Sequence, residues 1–369
     1  MFFKEGYLKL KNFIAARATS SAWRWSFFCV AFLVLLWLGI LIGLWLARPT
    51  IPAEVSPPED IPPASVTTTV PMVARPLDGV LLPASDYTGQ SWPLAVMMDN
   101  LIDARPQYGI SQALLVIEAP VEGPITRFLA FFDSAQKVSS IGPVRSARPY
   151  FAEWAAELGA LYVHSGGSPE ALRNLSARAY DLTGLNEFSN GQYFWRSKQR
   201  YAPHNLITSN EELSQALADK NLTSTPPDFT IWRFQDAPTS TTATSAVAVK
   251  IPYNQAENMV AWQYIPETNT YQRHQGGKPH LDSDHNPILA SNIVVQWTKM
   301  TVIDSVGRRR LTTTGTGLAW IFQNGQKTIG TWNKSKNGRT RFLDASGQEI
   351  IFNRGATWIE VVGDNTPVE

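Results

Sequence analysis

The sequence predicts an α+β protein: one transmembrane helix, then an N-terminal mixed α/β domain, then a mostly-β C-terminal domain. Three observations predict this order. An uncharged apolar run lies near the N-terminus, a region with both strand and helix patterns follows it, and beyond that only strand patterns separated by turn residues continue. The predicted segments are a cytoplasmic tail (1–24), the transmembrane helix (25–47), a Pro/Thr-rich stalk (48–91), the first domain (92–238), a linker (239–245) and the second domain (246–369).

The apolar run Trp25–Ala47 contains no charged residue and is long enough to cross a membrane. At ~1.5 Å per residue it spans roughly 34 Å, against ~30 Å for the hydrocarbon core of a bilayer. The charged residues before it are mainly basic, and Glu54, Glu59 and Asp60 follow it. The positive-inside rule therefore places the N-terminus in the cytoplasm and the folded domains outside the cell membrane, on a single-pass anchor.

A cleavable signal peptide is the alternative interpretation of this run. The apolar cores of signal peptides have ~7–15 residues and end at an A-x-A-like site, whereas this run is longer and has no such site. Cys29, the single cysteine, follows Ser-Phe-Phe inside the run, so we do not expect lipid attachment there. A single cysteine also excludes an intramolecular disulfide. We therefore expect a retained anchor.

The charge balance argues against one class of partner. Lys and Arg number 32 and Asp and Glu 31, for a net charge of +1, and no basic stripe is present. We therefore expect no nucleic-acid partner. Residues 48–91 are rich in Pro, Thr, Val and Ser, a composition that cannot bury enough surface to fold. We expect this segment to hold the domains away from the membrane.

The first domain mixes two kinds of pattern. Short apolar runs predict strands at Leu94–Met98, Ala113–Glu118, Ile125–Phe132 and Ala160–His164. Capping residues and the 3.6-residue period predict helices at Arg148–Leu158, from Pro169 to about Arg178 with Ser168 as the cap, and from Glu211 to about Lys220 with Asn210 as the cap. Such a mixture predicts an α/β or α+β domain.

The second domain contains strand patterns and no convincing helix. Val260–Ile265 and Thr270–His274 flank Pro-Glu-Thr-Asn, which predicts a hairpin. A small barrel or sandwich is the expected architecture. Further strands are predicted at Ile293–Ile303, Arg309–Thr314, Leu318–Phe322, Lys327–Trp332, Thr340–Leu343, Glu349–Phe352 and Thr357–Val362.

Candidate binding residues concentrate in the Gly- and Pro-rich connections of the first domain. Helix N-termini preceded by Gly, Ser and Arg favour anions, because free N–H groups and the positive end of the helix dipole face the ligand. Arg145 and Arg148 flank such a helix start and can grip a phosphate or carboxylate. The predicted ligand-binding residues are Asp99, Asn100, Arg105, Glu122, Arg127, Arg145, Ser146, Arg148, His164, Ser168 and His204.

A structural interpretation of the same residues is also open. Arginines can tie loops together by pairing with carboxylates, for Arg145 with Glu118 or Glu122, and His164 and His204 can be hydrogen-bonded in a core instead of acting as acid or base. Known nucleophile motifs and H-E-x-x-H are absent from the sequence. The segment His280-Leu-Asp-Ser-Asp-His lacks the Gly and the distant Glu of a calcium loop. We therefore predict no cofactor and no metal.

Two groups of motifs carry a resemblance to a known family. In the first domain they are Ala95-Val-Met-Met-Asp-Asn, Ala104-Arg-Pro, Val121-Glu-Gly-Pro-Ile-Thr-Arg-Phe, Ile141-Gly-Pro-Val-Arg-Ser-Ala-Arg-Pro-Tyr, His164-Ser-Gly-Gly-Ser-Pro, Phe194-Trp-Arg and Ala202-Pro-His-Asn-Leu; in the second they are Asn292-Ile-Val-Val-Gln, Gly315-Thr-Gly, Thr331-Trp and Thr357-Trp-Ile. With these motifs the chain resembles the YerB-like lipoprotein family of bacteria from about Trp92 onward. The resemblance implies a two-domain envelope protein and implies no reaction. It departs at the anchor, where a transmembrane helix stands in place of a lipid-modified cysteine.

Three functions remain open from the sequence. The first is a non-enzymatic envelope protein that binds an anionic cell-wall polymer or an envelope protein of wall synthesis. The second is an envelope enzyme acting on phosphate- or carboxylate-bearing wall precursors, with Asp99 or Glu122 as base or metal ligand. The third is a structural scaffold. A deep cleft between arginines and carboxylates favours the enzyme, an open groove favours binding, and arginines used in internal ion pairs favour the scaffold.

Overall fold

The computed structural model describes residues 21–47, 70–87, 89–224, 226–229, 231–238, 247–253 and 256–369. The chain forms two compact units, residues 1–68 and residues 69–369. In the first unit, helix α1 (Ser21–Leu46) includes Phe28–Leu46, a segment long and apolar enough to cross a membrane. The described side chains of α1 are exposed, as suits a helix whose apolar surface contacts lipid. The predicted N-terminal apolar helix is confirmed.

The described part of the second unit contains three α-helices and many short strands. The helices are α2 (Pro149–Ala156), α3 (Pro169–Ser176) and α4 (Asn210–Asp219). The strands before the predicted linker are β1 (Met72–Ala74), β2 (Leu81–Pro83), β3 (Pro93–Asp99), β4 (Leu115–Pro120), β5 (Thr126–Asp133), β6 (Leu161–His164), β7 (Thr183–Asn186), β8 (Trp195–Arg196), β9 (Leu206–Ile207) and β10 (Phe234–Gln235). Those after it are β11 (Val247–Ile251), β12 (Val260–Ile265), β13 (Thr270–Gln275), β14 (Lys278–Pro279), β15 (Leu289–Ala290), β16 (Asn292–Thr298), β17 (Met300–Val302), β18 (Arg309–Leu311), β19 (Gly315–Gln323), β20 (Gln326–Lys334), β21 (Arg341–Leu343), β22 (Phe352–Asn353) and β23 (Thr357–Gly363).

One ten-stranded sheet runs through both halves of this unit, in the order β21-β20-β19-β16-β23-β4-β5-β3-β6-β7. The halves join where β23 pairs in parallel with β4, with Ile359 opposite Ile117. The expected separate barrel or sandwich is wrong. The reason is that β16 and β23 are buried on both faces, which makes them interior strands of a large sheet. A five-stranded sheet of β11 to β15 accompanies it.

The two faces of the ten-stranded sheet carry two separate apolar cores, as the two-residue period of a strand requires. In β3, Leu94, Val96 and Met98 belong to one core, and Ala95 and Met97 belong to the other. The five-stranded sheet and α4 pack on the first face, and α2 packs on the second. The molecule is therefore layered, and the connections between layers meet at the ends of the strands.

Local signals placed the helices well. Pro149 begins α2, and the hydroxyl of Ser168 accepts a hydrogen bond from the N–H of Ala171 at the start of α3. The cap of α4 is Ser209, which accepts from the N–H of Glu212, and not the predicted Asn210, which is the first helical residue. A serine one position earlier satisfies the same free N–H groups.

The segment predicted as stalk differs from that prediction at its C-terminal end. β1 and β2 form an antiparallel pair, Leu77 is fully buried, and Arg75 pairs with the buried Asp78 at 2.6 Å. These residues are therefore part of the folded body, because Leu77 joins the core on the α2 face. Residues 48–69 and the predicted linker 239–245 lie outside the described residues.

Candidate functional site at the ends of three parallel strands

Three parallel strands of the large sheet end at one edge. β3 pairs with β6, and β6 pairs with β7, all in parallel. Their last residues, Asp99, His164 and Asn186, therefore lie along the same edge. Ligands of open α/β sheets usually bind outside the carboxyl ends of such strands. Loops that carry Arg145 and His204 also reach this edge, which we call the strand-end site.

Asp99 organises the strand-end site. Its Oδ2 lies 2.9 Å from Nε of Arg145 and 2.7 Å from Nδ1 of His204. Its Oδ1 accepts a hydrogen bond from the N–H of Leu101 at 3.1 Å. The carboxylate is buried, whereas the side chains of Arg145 and His204 are 17% and 16% exposed. One buried carboxylate therefore holds two partly accessible basic groups side by side.

The backbone also fixes Arg145. Its N–H donates to the carbonyl of Met97 at 2.9 Å, and its carbonyl accepts from the N–H of Ser165 at 3.0 Å. The guanidinium contacts Asp99 through Nε, and Nη1 lies 3.5 Å from the carbonyl of Pro203. Within the described residues Nη2 has no hydrogen-bond partner, so one edge of the guanidinium is left for a ligand.

A second basic side chain, Arg196 on β8, extends this surface. Its Nη2 lies 3.2 Å from Oε1 of Glu187, and its Nη1 donates to Oδ1 of Asn205 at 3.2 Å. The hydroxyl of Ser165 donates to Oε2 of Glu187 at 2.9 Å. Arg196 is 45% exposed, so its charge faces water beside His204 and its neighbour Asn205. The strand-end site thus combines the exposed charge of Arg196 with the partly exposed Arg145 and His204.

Internal partners hold two other predicted arginines. Arg148 donates to Oε1 of Glu122 through Nε, at 2.7 Å, and through Nη2. Arg127 lies 3.5 Å from Oε2 of the same Glu122 and donates to the carbonyl of Ser146 at 3.1 Å. Burial, with the charge of Arg148, lowers the pKa of Arg127 to about 10, so it remains charged at neutral pH. These contacts tie the loop before α2 to the turn after β4, which matches the structural interpretation.

Asn100 and Arg105 join the two halves of the chain. The amide of Asn100 donates to Oε1 of Glu118 at 3.0 Å, and its Oδ1 accepts from Nε of Arg105 at 3.2 Å. Nη2 of Arg105 donates to Oδ1 of Asn258 at 2.6 Å. Burial lowers the pKa of Arg105 to about 10. Both side chains use their polar atoms inside the fold.

His164 and Ser168 also have internal partners. His164 is buried, and its Nδ1 lies 2.7 Å from the carbonyl of Gly166. Burial lowers the pKa of His164 to about 4, so the ring is neutral at physiological pH. The hydroxyl of Ser168 caps α3. Both side chains therefore use these polar atoms within the fold.

Behind the strand-end site lies a buried charged network centred on Arg273. Its Nη2 donates to Oε2 of Glu118 at 2.5 Å, whereas its Nε lies 3.8 Å from Oε1 of Glu360. Burial, reinforced by the charge of Glu118, raises the pKa of Glu360 to about 8. Tyr253 and Trp262 donate to this carboxyl group at 2.9 Å and 2.8 Å. One guanidinium thus neutralises one carboxylate, and the second carboxyl group stays protonated at neutral pH.

The network and the strand-end site are connected. His280 lies 2.6 Å from Nη1 of Arg273 and, through Nε2, 2.8 Å from Oε1 of Gln107. The amide of Gln107 donates to the carbonyl of Asp99 at 3.0 Å. Burial, followed by the nearby positive charge of Arg273, lowers the pKa of His280 well below its usual value. The second half of the chain therefore supports the backbone at the strand-end site.

The prediction from sequence missed several of these residues. The predicted site residues do not include Ser165, Glu187 or Arg196. Glu187 follows β7, whose sequence Thr-Gly-Leu-Asn has no apolar alternation, so no strand was predicted there. For Arg273 and Glu360 a signal did exist. Each is a charged residue inside a strand pattern: Arg273 lies at an inward position of the alternating strand β13, and Glu360 lies in β23, which is buried on both faces.

Comparisons with known proteins place these features in a family. Residues 82–223 match the family described as "Protein of unknown function (DUF3048) N-terminal domain", and residues 249–359 match its C-terminal domain. The curated protein "Putative lipoprotein YerB" of Bacillus subtilis (strain 168) is 33% identical over 306 residues, which cover 81% of this chain and 89% of that protein. The crystal structure of YerB from Bacillus subtilis superposes with a TM-score of 0.70 at 29% identity, covering 80% of this chain and 99% of that chain. These findings confirm the resemblance and the α+β fold.

Proposed function

This chain belongs to the DUF3048 family, and from that premise we propose that it is a membrane-anchored envelope protein that binds an anionic cell-wall polymer or an envelope protein of wall synthesis at the strand-end site. The observation that carries the proposal is the Asp99 contact with both Arg145 and His204. It orients two basic groups in advance, which lowers the entropy cost of binding. Among the described residues Nη2 of Arg145 has no hydrogen-bond partner, and that edge of the guanidinium suits the oxygens of a phosphate or carboxylate.

A binding function agrees better with the way the arginines are used than catalysis does. The groups lie at strand ends, and Arg127 and Arg148 are used internally by Glu122. These arginines therefore do not converge on a deep cleft, which is the arrangement that an enzyme of this type needs. The surface charge comes from Arg145 and Arg196.

The membrane orientation is part of the proposal. Helix α1 anchors the chain, the basic flank before Trp25 stays in the cytoplasm, and residues 69–369 lie outside. Protease added to intact cells or spheroplasts is expected to remove the folded unit and leave the N-terminal tail. Protection of the folded unit, with cleavage after lysis only, would contradict this orientation.

Cosedimentation of the full-length protein, in detergent, with purified cell-wall sacculi tests the binding function. Arg145→Gln is expected to weaken binding about tenfold, because it removes a charge-assisted hydrogen bond. Lys278→Gln, which removes an exposed charge on β14, is the matched control and should bind normally. Binding should also fall with added salt. Equal binding by Arg145→Gln and wild type would contradict the proposal.

One observation favours a second candidate function, an acid–base enzyme acting on wall precursors. Nδ1 of His204 lies 2.7 Å from the buried Asp99, an arrangement that orients an imidazole so that its Nε2 can exchange protons with a substrate. If this function is correct, soluble fragments should appear when sacculi are incubated with the protein, and His204→Gln should stop their release. Binding without release assigns the site to recognition alone.

A further inference from the structure

A separate cleft lies between the two halves of the folded unit, with a volume of about 1020 Å³. One wall is formed by residues of 149–181, on and around α2 and α3, and the other by residues of 309–314 and 334–338. The cleft contains none of Asp99, Arg145 or His204. Its size is at the upper end of the range for small-ligand pockets, ~300–1,000 Å³. The cleft is therefore a different site from the strand-end site.

The charges of the cleft are segregated by wall. Every acidic residue that lines it belongs to the first wall, and every basic residue belongs to the second. A surface arranged in this way complements a ligand that carries both a positive and a negative charge, held in one orientation. The acidic residues are Glu153, Glu157, Glu170 and Asp181, and the basic residues are Arg309, Arg310, Lys334 and Lys336.

Some of these charges hold the walls together and others face solvent. Lys334 and Glu157 form a buried pair at 2.7 Å, and Glu157 also accepts from the N–H of Thr340 at 2.6 Å. Arg310 lies 3.4 Å from Glu170, but the two side chains are 65% and 37% exposed, so a ligand can displace this pair at little cost. The buried pair sets the spacing of the walls, and the exposed charges are available for recognition.

A strand with an unpaired edge runs along the basic wall. β18 pairs with β17 on one side, and in the described part of the chain no strand pairs with its other side. The N–H of Ile303 donates to the carbonyl of Arg308, and the N–H of Thr312 donates to the carbonyl of Lys299. In an antiparallel pair, successive residues point their backbone N–H and C=O groups alternately toward the partner strand and away from it. Because Arg308 and Thr312 bond toward β17, the backbone groups of Arg309 and Leu311 point away from it. Both residues line the cleft.

We infer that the cleft binds a short extended peptide that carries a free ammonium and a free carboxylate. The peptide adds to the open edge of β18 through main-chain hydrogen bonds, which is a common way for proteins to recognise extended segments. Its ammonium faces the acidic wall near Asp181, and its carboxylate faces Arg310 and Lys336. Both the segregated charges and the unpaired strand edge point to this class of ligand, because a neutral molecule or a simple anion uses only part of the site.

Isothermal titration of the full-length protein in detergent tests this inference, with tetra-alanine as the probe. Tetra-alanine with free termini is expected to bind, and the form acetylated at one end and amidated at the other is expected to bind at least about tenfold more weakly, since each charged end loses charge-assisted hydrogen bonds. Methylation of alternate peptide nitrogens should weaken binding similarly, because it removes the donors that pair with β18.

Charge substitutions assign the two ends of the peptide. Arg310→Gln should weaken the binding of the peptide with a free carboxylate and leave the binding of the amidated peptide unchanged. Asp181→Asn should likewise weaken the binding of only those peptides that have a free ammonium. Lys278→Gln and Asp284→Asn remove exposed charges elsewhere and serve as controls. Absence of binding by unblocked tetra-alanine at millimolar concentration, or equal binding of the blocked and unblocked peptides, would overturn the inference.

Discussion

The strand-end site and the buried network are both built from arginine and carboxylate, yet they differ in their access to water. Glu118 and Arg273 are fully buried, and their charges are satisfied inside the protein. Asp99 is buried as well, but Arg145 and His204 above it are partly exposed. The same chemistry therefore joins the two halves of the chain in one place and holds partly exposed basic groups in the other. Burial, more than residue type, separates an arginine whose charge is used within the fold from one whose charge reaches water.

The largest expected effect of a substitution lies in the buried network. Arg273→Met leaves the buried carboxylate of Glu118 without its cation, and removal of one partner of a buried pair costs about 3–5 kcal/mol. Chemical denaturation of the full-length protein in detergent measures the loss. Arg341→Met, at a side chain that is 50% exposed and paired with Glu349, is the matched control and should change the free energy of unfolding by less than about 0.5 kcal/mol. Similar losses of stability in the two variants would contradict the view that burial determines how much an arginine contributes to stability.

The stability of the folded protein is expected to depend on pH through Glu360. The pKa of Glu360 is about 8 in the folded protein and 4.5 when unperturbed, so between these values the folded state holds a proton that the unfolded state has lost. The free energy of unfolding therefore falls as pH rises and stops falling above about 8. His164 and His280 have lowered pKa values and oppose this trend below and around pH 6.5, because the unfolded state then binds protons that the folded state does not.

From pH 6.5 to 8, the difference in slope between wild type and Glu360→Gln isolates Glu360, because the histidines contribute equally in both proteins. At ~1.4 kcal/mol per unit, the stability lost across this window is at most about 2 kcal/mol. Denaturation curves at several pH values measure it, and Glu360→Gln, which keeps an acceptor for Trp262, is expected to flatten the slope. An unchanged slope in Glu360→Gln would show that the proton is held elsewhere, with Tyr253, Arg273 and Glu118 as the neighbouring groups.

Arg145→Ala is expected to lower the free energy of unfolding by less than Arg273→Met does. Asp99 loses its contact with Arg145 and keeps two donors, Nδ1 of His204 and the N–H of Leu101. We expect destabilisation of about 1–2 kcal/mol, between the values for an exposed site and a stranded buried charge. Thermal and chemical denaturation of the full-length variant check it. A loss of stability close to that of Arg273→Met would show that Arg145, like Arg273, is needed mainly to neutralise a buried carboxylate.

Local and long-range features of the fold were predictable to different degrees. Pro149 and Ser168 act within one helical turn, so the sequence alone located α2 and α3. The pairing of β4 with β23 depends on residues far apart in the chain, and no local pattern predicts it. The role of Arg145 in ligand binding stays a prediction, and the carboxylate that Arg145 contacts is Asp99 and not Glu118 or Glu122. Which residues pair across a fold depends on its topology, and the spacing of residues in the sequence does not reveal that topology.

The smallest effect on stability and a clear effect on binding are expected together at Arg196. Its side chain is 45% exposed, and its contact with Glu187 at 3.2 Å is screened by water, so Arg196→Gln should change the free energy of unfolding by less than about 0.5 kcal/mol. The same change removes a surface charge beside Arg145 and His204, and binding to sacculi should fall several-fold, with a weaker dependence on salt. Denaturation and cosedimentation of one protein preparation measure both quantities. Normal binding combined with a loss of more than 1 kcal/mol would instead place Arg196 with the structural arginines, and the ligand surface would then be confined to Arg145 and His204.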